Sequence, residues 1–338
     1  MNILAIETSC DETGVSVLKD GHLILANLLS TQVATHAPFG GIVPELASRK
    51  HMEMIQPMVL EAIRQAGLPF SELDAVAVTY GPGLVGALVV GVSFGKALSY
   101  ALNIPLIGIH HLEGHIHSIF LENPGLPYPF IALVVSGGHT NLYRVEGSGS
   151  YFSLGHSIDD AAGEALDKAG KMLNLGYPGG PVIDELAKRQ DPDQFIFPRA
   201  FLSKNSYDFS FSGLKTSLRT FLEKKTEDEI KGMLPQIAAG FQQAIVDVLV
   251  KKTLRAALEF KIPNIVIVGG VAANSRLRAE MSEEGKREGI QVHIPSPRFC
   301  TDNAAMIARA ALDHFEKKHF ASLDLNPVGS LTLEEANG

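Results

Sequence analysis

Apolar residues in this chain come in short blocks separated by small polar turns. NILAIETS (2–9) is apolar and rich in β-formers, VSVL (15–18) follows a polar DETG turn, and HLILANLLS (22–30) follows Asp-Gly, a tight-hairpin signal. This pattern predicts a three-stranded meander. Positions 31–43 read as loop. A helix is predicted from about 44 to 66, with Leu46, Met54, Met58 and Ile63 among its inward positions. AVAVTYGPG (75–83) reads as a strand running into a Gly-Pro turn, 85–102 as a mostly apolar helix, and PLIGIH (105–110) as a short strand before a histidine-rich helix.

The second half repeats the pattern. PFIALVVSGGHTNLYRV (129–145) reads as strand, small turn, strand, and YFSLGHSI (151–158) supplies a third strand. A helix from about 160 to 173 follows, then a Gly/Pro loop, GYPGGP (176–181), and helical stretches, notably 227–260. IPNIVIVGGVAAN (262–274) is a strand ending in a glycine turn, 275–288 a helix, VHIPSP (292–297) a last strand and 302–315 a helix. Each half has a meander with a small polar first turn, and later a strand–glycine–helix unit. Residue identity between the halves is slight, so the duplication lies in the pattern. Two such α/β lobes would face a cleft, with both first hairpin turns offering backbone N–H groups to phosphates.

Length and composition agree. The 338 residues suit two domains or two lobes, and 46% hydrophobic with 20% charged residues excludes wholesale disorder. A net charge of −8 argues against a general nucleic-acid binder, although a local basic patch or a basic partner would still admit RNA. Two cysteines, Cys10 and Cys300, make no disulfide framework and fit a reducing, cytoplasmic setting. The start MNILAIETSCDE lacks the basic region of a signal peptide, and runs such as IALVVS and IVIVGG are too short to span a bilayer.

The chemistry-bearing residues fall in a few places. HHLEGH (110–115) places His111 and His115 four apart, on one helix face with Cβ atoms roughly 6 Å apart, a spacing suited to a divalent metal. The alternative is packing in a His-rich segment that includes His110 and His117. Asp302, in FCTDNAAM, is a candidate third ligand or a helix cap. The HExxH peptidase pattern puts its glutamate directly after the first histidine; Glu113 stands one place later, on another azimuth. ETSCDET (7–13) gathers Glu7, Asp11 and Glu12 in one turn, where they would repel unless solvated, paired or metal-linked. VSGGHT (135–140) and GGVAANSRLR (269–278) are either phosphate-holding glycine loops or ordinary turns with Asn274 as an N-cap. In YPGGPVIDELAKR (177–189), Asp184 is a ribose-binding carboxylate or a solvated charge, and Asp167 in AGEALDKAG has the same two readings.

The stretches LAIETSCDETGVSV, GGIVPELASRKH, GPGLVGALVVG, KALSYALNIPLIGIHHLEGHI, LVVSGGHT, DDAAGEALDKAGKMLNLGYPGGP, DFSFSGLKT, GGVAANSRLR and CTDNAAM together resemble one family from residue 3 to 306, in order and spacing. It is the tRNA adenosine threonylcarbamoyltransferase family, bacterial TsaD group, formerly called O-sialoglycoprotein endopeptidases. The resemblance implies the duplicated actin/sugar-kinase/Hsp70-like (ASKHA) α/β fold, with an N-terminal lobe of 1–110 completed by about 303–330, and a second lobe of 111–302 carrying most nucleotide and metal contacts. It implies transfer of a threonylcarbamoyl group from threonylcarbamoyl-adenylate to N6 of the adenosine beside the anticodon, in tRNAs reading codons that begin with A, with release of AMP and no covalent enzyme intermediate.

Carried over by position, His111, His115 and Asp302 become ligands of one divalent metal per subunit, iron or zinc. Val134, Val135, Ser136, Gly137, Gly138, Asp167, Gly180, Asp184 and Asn274 become substrate contacts. Asp11 is the candidate for taking or orienting the amine proton, and Cys10 is not a nucleophile. Implied partners are tRNA, an inactive TsaB-type paralogue and a TsaE-type P-loop ATPase, with no membrane. Lys188, Arg189, Arg199, Lys204, Lys215 and Arg219 are possible tRNA contacts or solvated charges. The rival readings are a metallopeptidase, a free-standing ATPase or sugar kinase of the same fold, whose Mg²⁺ would want oxygen ligands, and a non-catalytic scaffold, which would lack the metal ligands and glycine loops that this chain has.

Overall fold

The first strand alternates residues with two different destinations. In β1 (Asn2–Glu7), Ile3 and Ala5 join one buried cluster while Leu4 and Ile6 join another, so both faces of its sheet are covered. The computed structural model describes residues 1–201 and 205–336; Lys204 lies outside the described residues. The chain divides into two units, Met1–Leu126 with Thr301–Gly338, and Pro127–Cys300.

In the first unit β1 pairs antiparallel with β2 (Glu12–Lys19), which pairs antiparallel with β3 (Leu23–Thr31). β4 (Ala75–Gly81) and β5 (Leu106–His110) add parallel strands, giving the order β3-β2-β1-β4-β5. The predicted loop after β3 contains a short helix, α1 (Val33–His36), because buried His36 ties it together through Gln32 Oε1 (3.2 Å) and the Val43 amide (3.3 Å). One sheet face carries α2 (Pro44–Ala66), with Ile55, Met58, Val59, Ala62 and Ile63 inward, and α3 (Val85–Leu102). The short α4 (His111–His117) follows β5.

The second unit repeats this plan. β6 (Phe130–Val135), β7 (Thr140–Gly147) and β8 (Ser150–His156) form the meander. Helices α5 (Ala162–Met172), α6 (Gly179–Ala187), α7 (Ser212–Leu222) and α8 (Glu227–Phe260) precede β9 (Asn264–Val268), and α9 (Ser275–Arg287) precedes β10 (Gln291–His293). β6 is antiparallel to β7 and parallel to β9, so the order β8-β7-β6-β9-β10 reproduces that of the first sheet. The duplication read from the hydrophobic pattern is therefore a duplication of topology. Strand β10 is shorter than expected, because Pro295 and Pro297 remove ladder donors beyond it and the chain turns into α10 (Pro297–Cys300).

The chain then returns to the first unit as α11 (Ala304–Glu316), whose Met306, Ile307, Ala310 and Ala311 cover the other face of the first sheet with Ile3, Ala5, Ile107 and Ile109. A last segment ends in α12 (Leu333–Ala336). The expected boundary after residue 110 falls inside the first unit, between β5 and α4, because α4 packs on α11. Two helices, α3 and α8, are long and apolar enough to cross a membrane by length and composition, unlike the short strand runs considered above. In the fold α8 is a core helix, 72% buried over its apolar window, and α3 packs on α2 and β4.

Candidate functional site

β1 ends on a carboxylate. Glu7 is completely buried, and such a group persists only when its oxygens are satisfied. Oε1 accepts from the Ser9 amide (2.5 Å), while Oε2 accepts from the Thr79 hydroxyl (2.6 Å) and lies 3.1 Å from His111 Nδ1. Burial opposes ionisation of Glu7, yet the His111 charge and hydrogen bond outweigh it and hold the carboxyl below its ordinary range. Burial alone would depress His111 as well, but the charges of Glu7 and Asp302 raise it to about 9. In the metal-free protein His111 is thus an imidazolium, and its Nε2 proton must leave for a metal to bind.

His111 Nε2 lies 3.6 Å and His115 Nε2 3.0 Å from Asp302 Oδ1. One ligand atom from each of the three residues lies within 4.8 Å of the others. His115 is fully buried, and apart from the Asp302 oxygen beside Nε2 its ring nitrogens have no hydrogen-bond partner among the described residues. Leaving such a group unsatisfied costs on the order of 1–3 kcal/mol. A cation on Nε2 removes part of that cost, and two imidazole nitrogens with one carboxylate oxygen suit zinc or iron. The residues therefore fit a divalent metal. Asp302 is no helix cap: Asn303 caps α11, its Oδ1 accepting from the Met306 amide (3.1 Å).

Glu113 has another role. Two residues beyond His111 it is rotated about 200° around the helix, where it is buried and 3.1 Å from His314 Nε2 on α11. A peptidase would need that carboxylate at the metal-bound water.

The turn after β1 is braced from α2. His51 Nδ1 lies 2.8 Å from Thr13 Oγ1, and its Nε2 3.0 Å from the Cys10 carbonyl, while the Gln32 amide donates to the Asp11 carbonyl (3.1 Å). Burial, then the neighbouring carboxylates Asp11, Asp302 and Glu12, push the Cys10 thiol well up, which keeps it from being a thiolate nucleophile. Burial, followed by the charges of Asp302 and Asp11, pushes Glu12 up to about 10. Asp11 is buried in the same turn.

In the second unit the glycine loops and carboxylates form one neighbourhood. β6 ends with Val134 and Val135 beside β9, and the Ser136 carbonyl accepts from Gly163 at the start of α5 (3.2 Å). Gly137 and Gly138 are exposed, and among the described residues beyond their chain neighbours no atom lies within 4 Å of where a Cβ would stand. Asp167 Oδ1 accepts from the Gly179 (2.8 Å) and Gly180 (3.3 Å) amides, fixing the start of α6. Asp184 accepts from the Ser275 amide (3.1 Å) and hydroxyl (2.8 Å), tying α6 to the start of α9. Asn274 caps α9 through the Leu277 amide (3.0 Å) and donates to Gln242 Oε1 (2.8 Å). Gly269 has φ +94, and a Cβ there would lie 2.4 Å from the Val135 carbonyl oxygen, so the β9 turn and the end of β6 are pressed together.

Four of the basic residues named from the sequence are ion-paired within the chain: Lys188 with Glu185, Arg199 with Asp247, Lys215 with Asp160 and Arg219 with Glu223. Arg189 stands at positive φ.

The sequence model of the family described as "TsaD: tRNA N6-adenosine threonylcarbamoyltransferase" matches residues 23–309. The tRNA N6-adenosine threonylcarbamoyltransferase of Syntrophus aciditrophicus is 51% identical over 336 residues, 99% of this chain and 99% of that protein. The protein of the same name from Moorella thermoacetica is 52% identical over 332 residues, 98% and 97% of the two chains. Among solved structures, HypF of T. kodakarensis superposes with a TM-score of 0.63 at 16% identity, over 97% of this chain and 49% of that one. The Acidaminococcus fermentans (R)-2-hydroxyglutaryl-CoA dehydratase component A gives 0.54 at 16% identity, over 94% and 97%. These two likenesses bear on fold alone, and they agree with the duplicated actin/sugar-kinase/Hsp70-like class.

Proposed function

The chain belongs to the tRNA N6-adenosine threonylcarbamoyltransferase family and is a transferase; on that premise we propose that it moves a threonylcarbamoyl group from threonylcarbamoyl-adenylate to N6 of the adenosine next to the anticodon, in tRNAs reading codons that start with A. The observation that carries the reading furthest is the cluster of His111, His115 and Asp302, backed by the buried Glu7. In the step proposed, the N6 amine attacks the carbamoyl carbonyl carbon. A C–N bond forms, the C–O bond to phosphate breaks, and AMP departs with the electron pair. The amine loses one proton, and no enzyme acyl intermediate is needed.

Each part of the chain has a task in this step. Residues Val134 to Gly138, with Asp167, Gly180, Asp184 and Asn274, are assigned to the adenylate. Asp167 and Asp184 already accept hydrogen bonds from the backbone, and a carboxylate offers about four lone-pair sites, so ribose hydroxyls can share them. Asp11 is assigned the amine proton: in the same turn Glu7 is committed to His111, and burial, then the charges of Asp302 and Asp11, push the Glu12 carboxyl up. Thr79 and the Ser9 amide hold Glu7, and Glu7 holds His111 with Nε2 toward Asp302. A divalent ion on His111, His115 and Asp302, iron or zinc, would supply a Lewis acid that polarises substrate oxygens. Holding the amine near the carbonyl supplies much of the remaining acceleration.

The family resemblance supports a TsaB-type paralogue and a TsaE-type P-loop ATPase as partners, tRNA as acceptor, and the cytoplasm as the place of work. The engagement of Glu113 by His314 weighs against the peptidase reading. The test is mass spectrometry of tRNA nucleosides from cells depleted of this protein and complemented with wild type or His111→Ala. Threonylcarbamoyladenosine should disappear on depletion and return only with wild type. An unchanged level after depletion refutes the transferase assignment.

A further inference from the structure

The segment after α11 carries no recognisable motif, yet it makes a continuous series of contacts along the first unit. The Ala321 amide donates to the Leu106 carbonyl (2.8 Å), on the edge strand β5. Leu325 fills the space over Gly108, 3.1 Å from where a Cβ would stand. The Val328 amide donates to the Tyr80 carbonyl (2.7 Å), and Gly329 accepts from the Gly83 amide (3.1 Å). The Val328 carbonyl sits so close to Gly81 that a Cβ there would lie 2.4 Å from its oxygen. Leu333 is fully buried, and Thr332 and Glu335 close a reciprocal cap on α12.

Between Gly329 and Leu333 the segment reaches His110. This residue is the last of β5 and the N-cap of α4, the helix that carries His111 and His115. Its Nδ1 accepts from the Leu112 amide (3.1 Å), and its Nε2 lies 3.1 Å from the Leu331 carbonyl. A neutral imidazole has one donor and one acceptor nitrogen. The Leu112 bond fixes Nδ1 as the acceptor, so Nε2 carries the proton and donates it to Leu331. One ring thereby connects the C-terminal segment to the first turn of the histidine helix.

We propose that residues 328–333 act as a strap that positions the metal-ligating helix, with His110 as the positioning residue that transmits the contact. The strap orients α4 through its N-cap. This inference rests on the metal reading of His111, His115 and Asp302.

The experiment compares Zn²⁺ affinity, by competition with a chromogenic chelator, in wild type, His111→Ala, a chain ending at Asn326, His110→Asn and His110→Ala. Cooperative thermal unfolding of each metal-free variant serves as the folding control. Outer contacts of metal ligands typically change affinity by about 10- to 100-fold. The truncated chain and His110→Asn should each bind Zn²⁺ at least about tenfold more weakly, and combining them should add little, because both break the same connection. His110→Asn is decisive where truncation prevents folding. Asparagine keeps an N-cap acceptor for Leu112 but loses the reach to Leu331. Wild-type affinity in this variant, with loss only in His110→Ala, would mean that the local cap suffices, and the strap proposal fails. Affinity in wild type no tighter than in His111→Ala overturns the metal reading itself, a result distinct from failure of the strap alone.

Discussion

Replacing Glu7 with glutamine tests the support of the metal site at its most constrained point. The side chain keeps its shape, but one oxygen becomes an NH₂ donor. Glu7 Oε1 faces the Ser9 amide, and Oε2 faces the Thr79 hydroxyl and His111 Nδ1. If the new NH₂ faces Ser9, two donors meet and a buried bond is lost. If it faces His111, Nδ1 either keeps its proton with only the Ser9 hydroxyl (3.1 Å) left to accept it, or becomes the acceptor as the ring proton moves to Nε2, the atom turned toward Asp302. The first arrangement costs on the order of 1–3 kcal/mol of stability. A proton moved to Nε2 opposes metal binding directly. Loss of such an outer contact predicts about 10- to 100-fold weaker Zn²⁺ binding, equivalent to about 1.4–2.8 kcal/mol. Chelator competition measures the affinity, and urea unfolding of the metal-free protein measures the stability. The comparison belongs above pH 9, where His111 no longer retains its proton in wild type. Zn²⁺ affinity and metal-free stability both within about twofold of wild type would refute the reasoning.

Three further outcomes follow from the geometry. Gly269→Ala places a Cβ at φ +94 against the Val135 carbonyl and should cost at least about 1–3 kcal/mol, read from urea unfolding; an unchanged midpoint would show that the turn relaxes freely. Burial lowers His314, but its hydrogen bond to Glu113 outweighs this and raises it above the ordinary 6.5, so its stabilisation is full below that unfolded value and is lost as pH rises through the raised folded value. The stability gap between wild type and His314→Gln should therefore shrink from pH 6 to pH 9 by roughly 1–3 kcal/mol, and a gap independent of pH counts against the pair. Because burial and the neighbouring charges push Glu12 up and disfavour its ionised form, Glu12→Gln should retain most single-turnover transfer activity, whereas Asp11→Asn should lose on the order of 10²- to 10⁴-fold; equal losses would remove the distinction between the two carboxylates.

The architecture was legible because the hydrophobic pattern is local and strong. The meander at 2–30, the helix from Pro44 to Ala66 and the helix from Val85 to Leu102 each declare their period within their own residues. The repeat of strand order in the second sheet follows from the same pattern appearing twice. Site chemistry was legible only where spacing carried it: His111 and His115 share a helix face, so their pairing needed no tertiary information. Glu7 was visible as a carboxylate ending an apolar strand, but its bond to His111 depends on β1 meeting the start of α4, far away in sequence. Asp184 reads in sequence as either a ribose-binding carboxylate or a solvated helix charge, and only the fold brings Ser275 to it. The C-terminal segment was silent because many of its contacts are made by backbone amides and carbonyls, at Ala321, Val328, Gly329 and Leu331, which leave little trace in residue type.

The order of the chain adds a thermodynamic consequence. His115 and Asp302 belong to one unit, yet all of Pro127–Cys300 lies between them in sequence. The ligand set is therefore complete only after α11 has returned to the first sheet and packed Met306 and Ile307 against Ile107 and Ile109. A metal that needs all three ligands binds this returned state and not the unfolded chain. Its binding energy consequently becomes stability of the contact between α11 and the first sheet. The same logic gives the two neighbours separate tasks: Asn303 caps α11, the cap fixes the helix start, and the helix start fixes where Asp302, the proposed third ligand, stands beside His115.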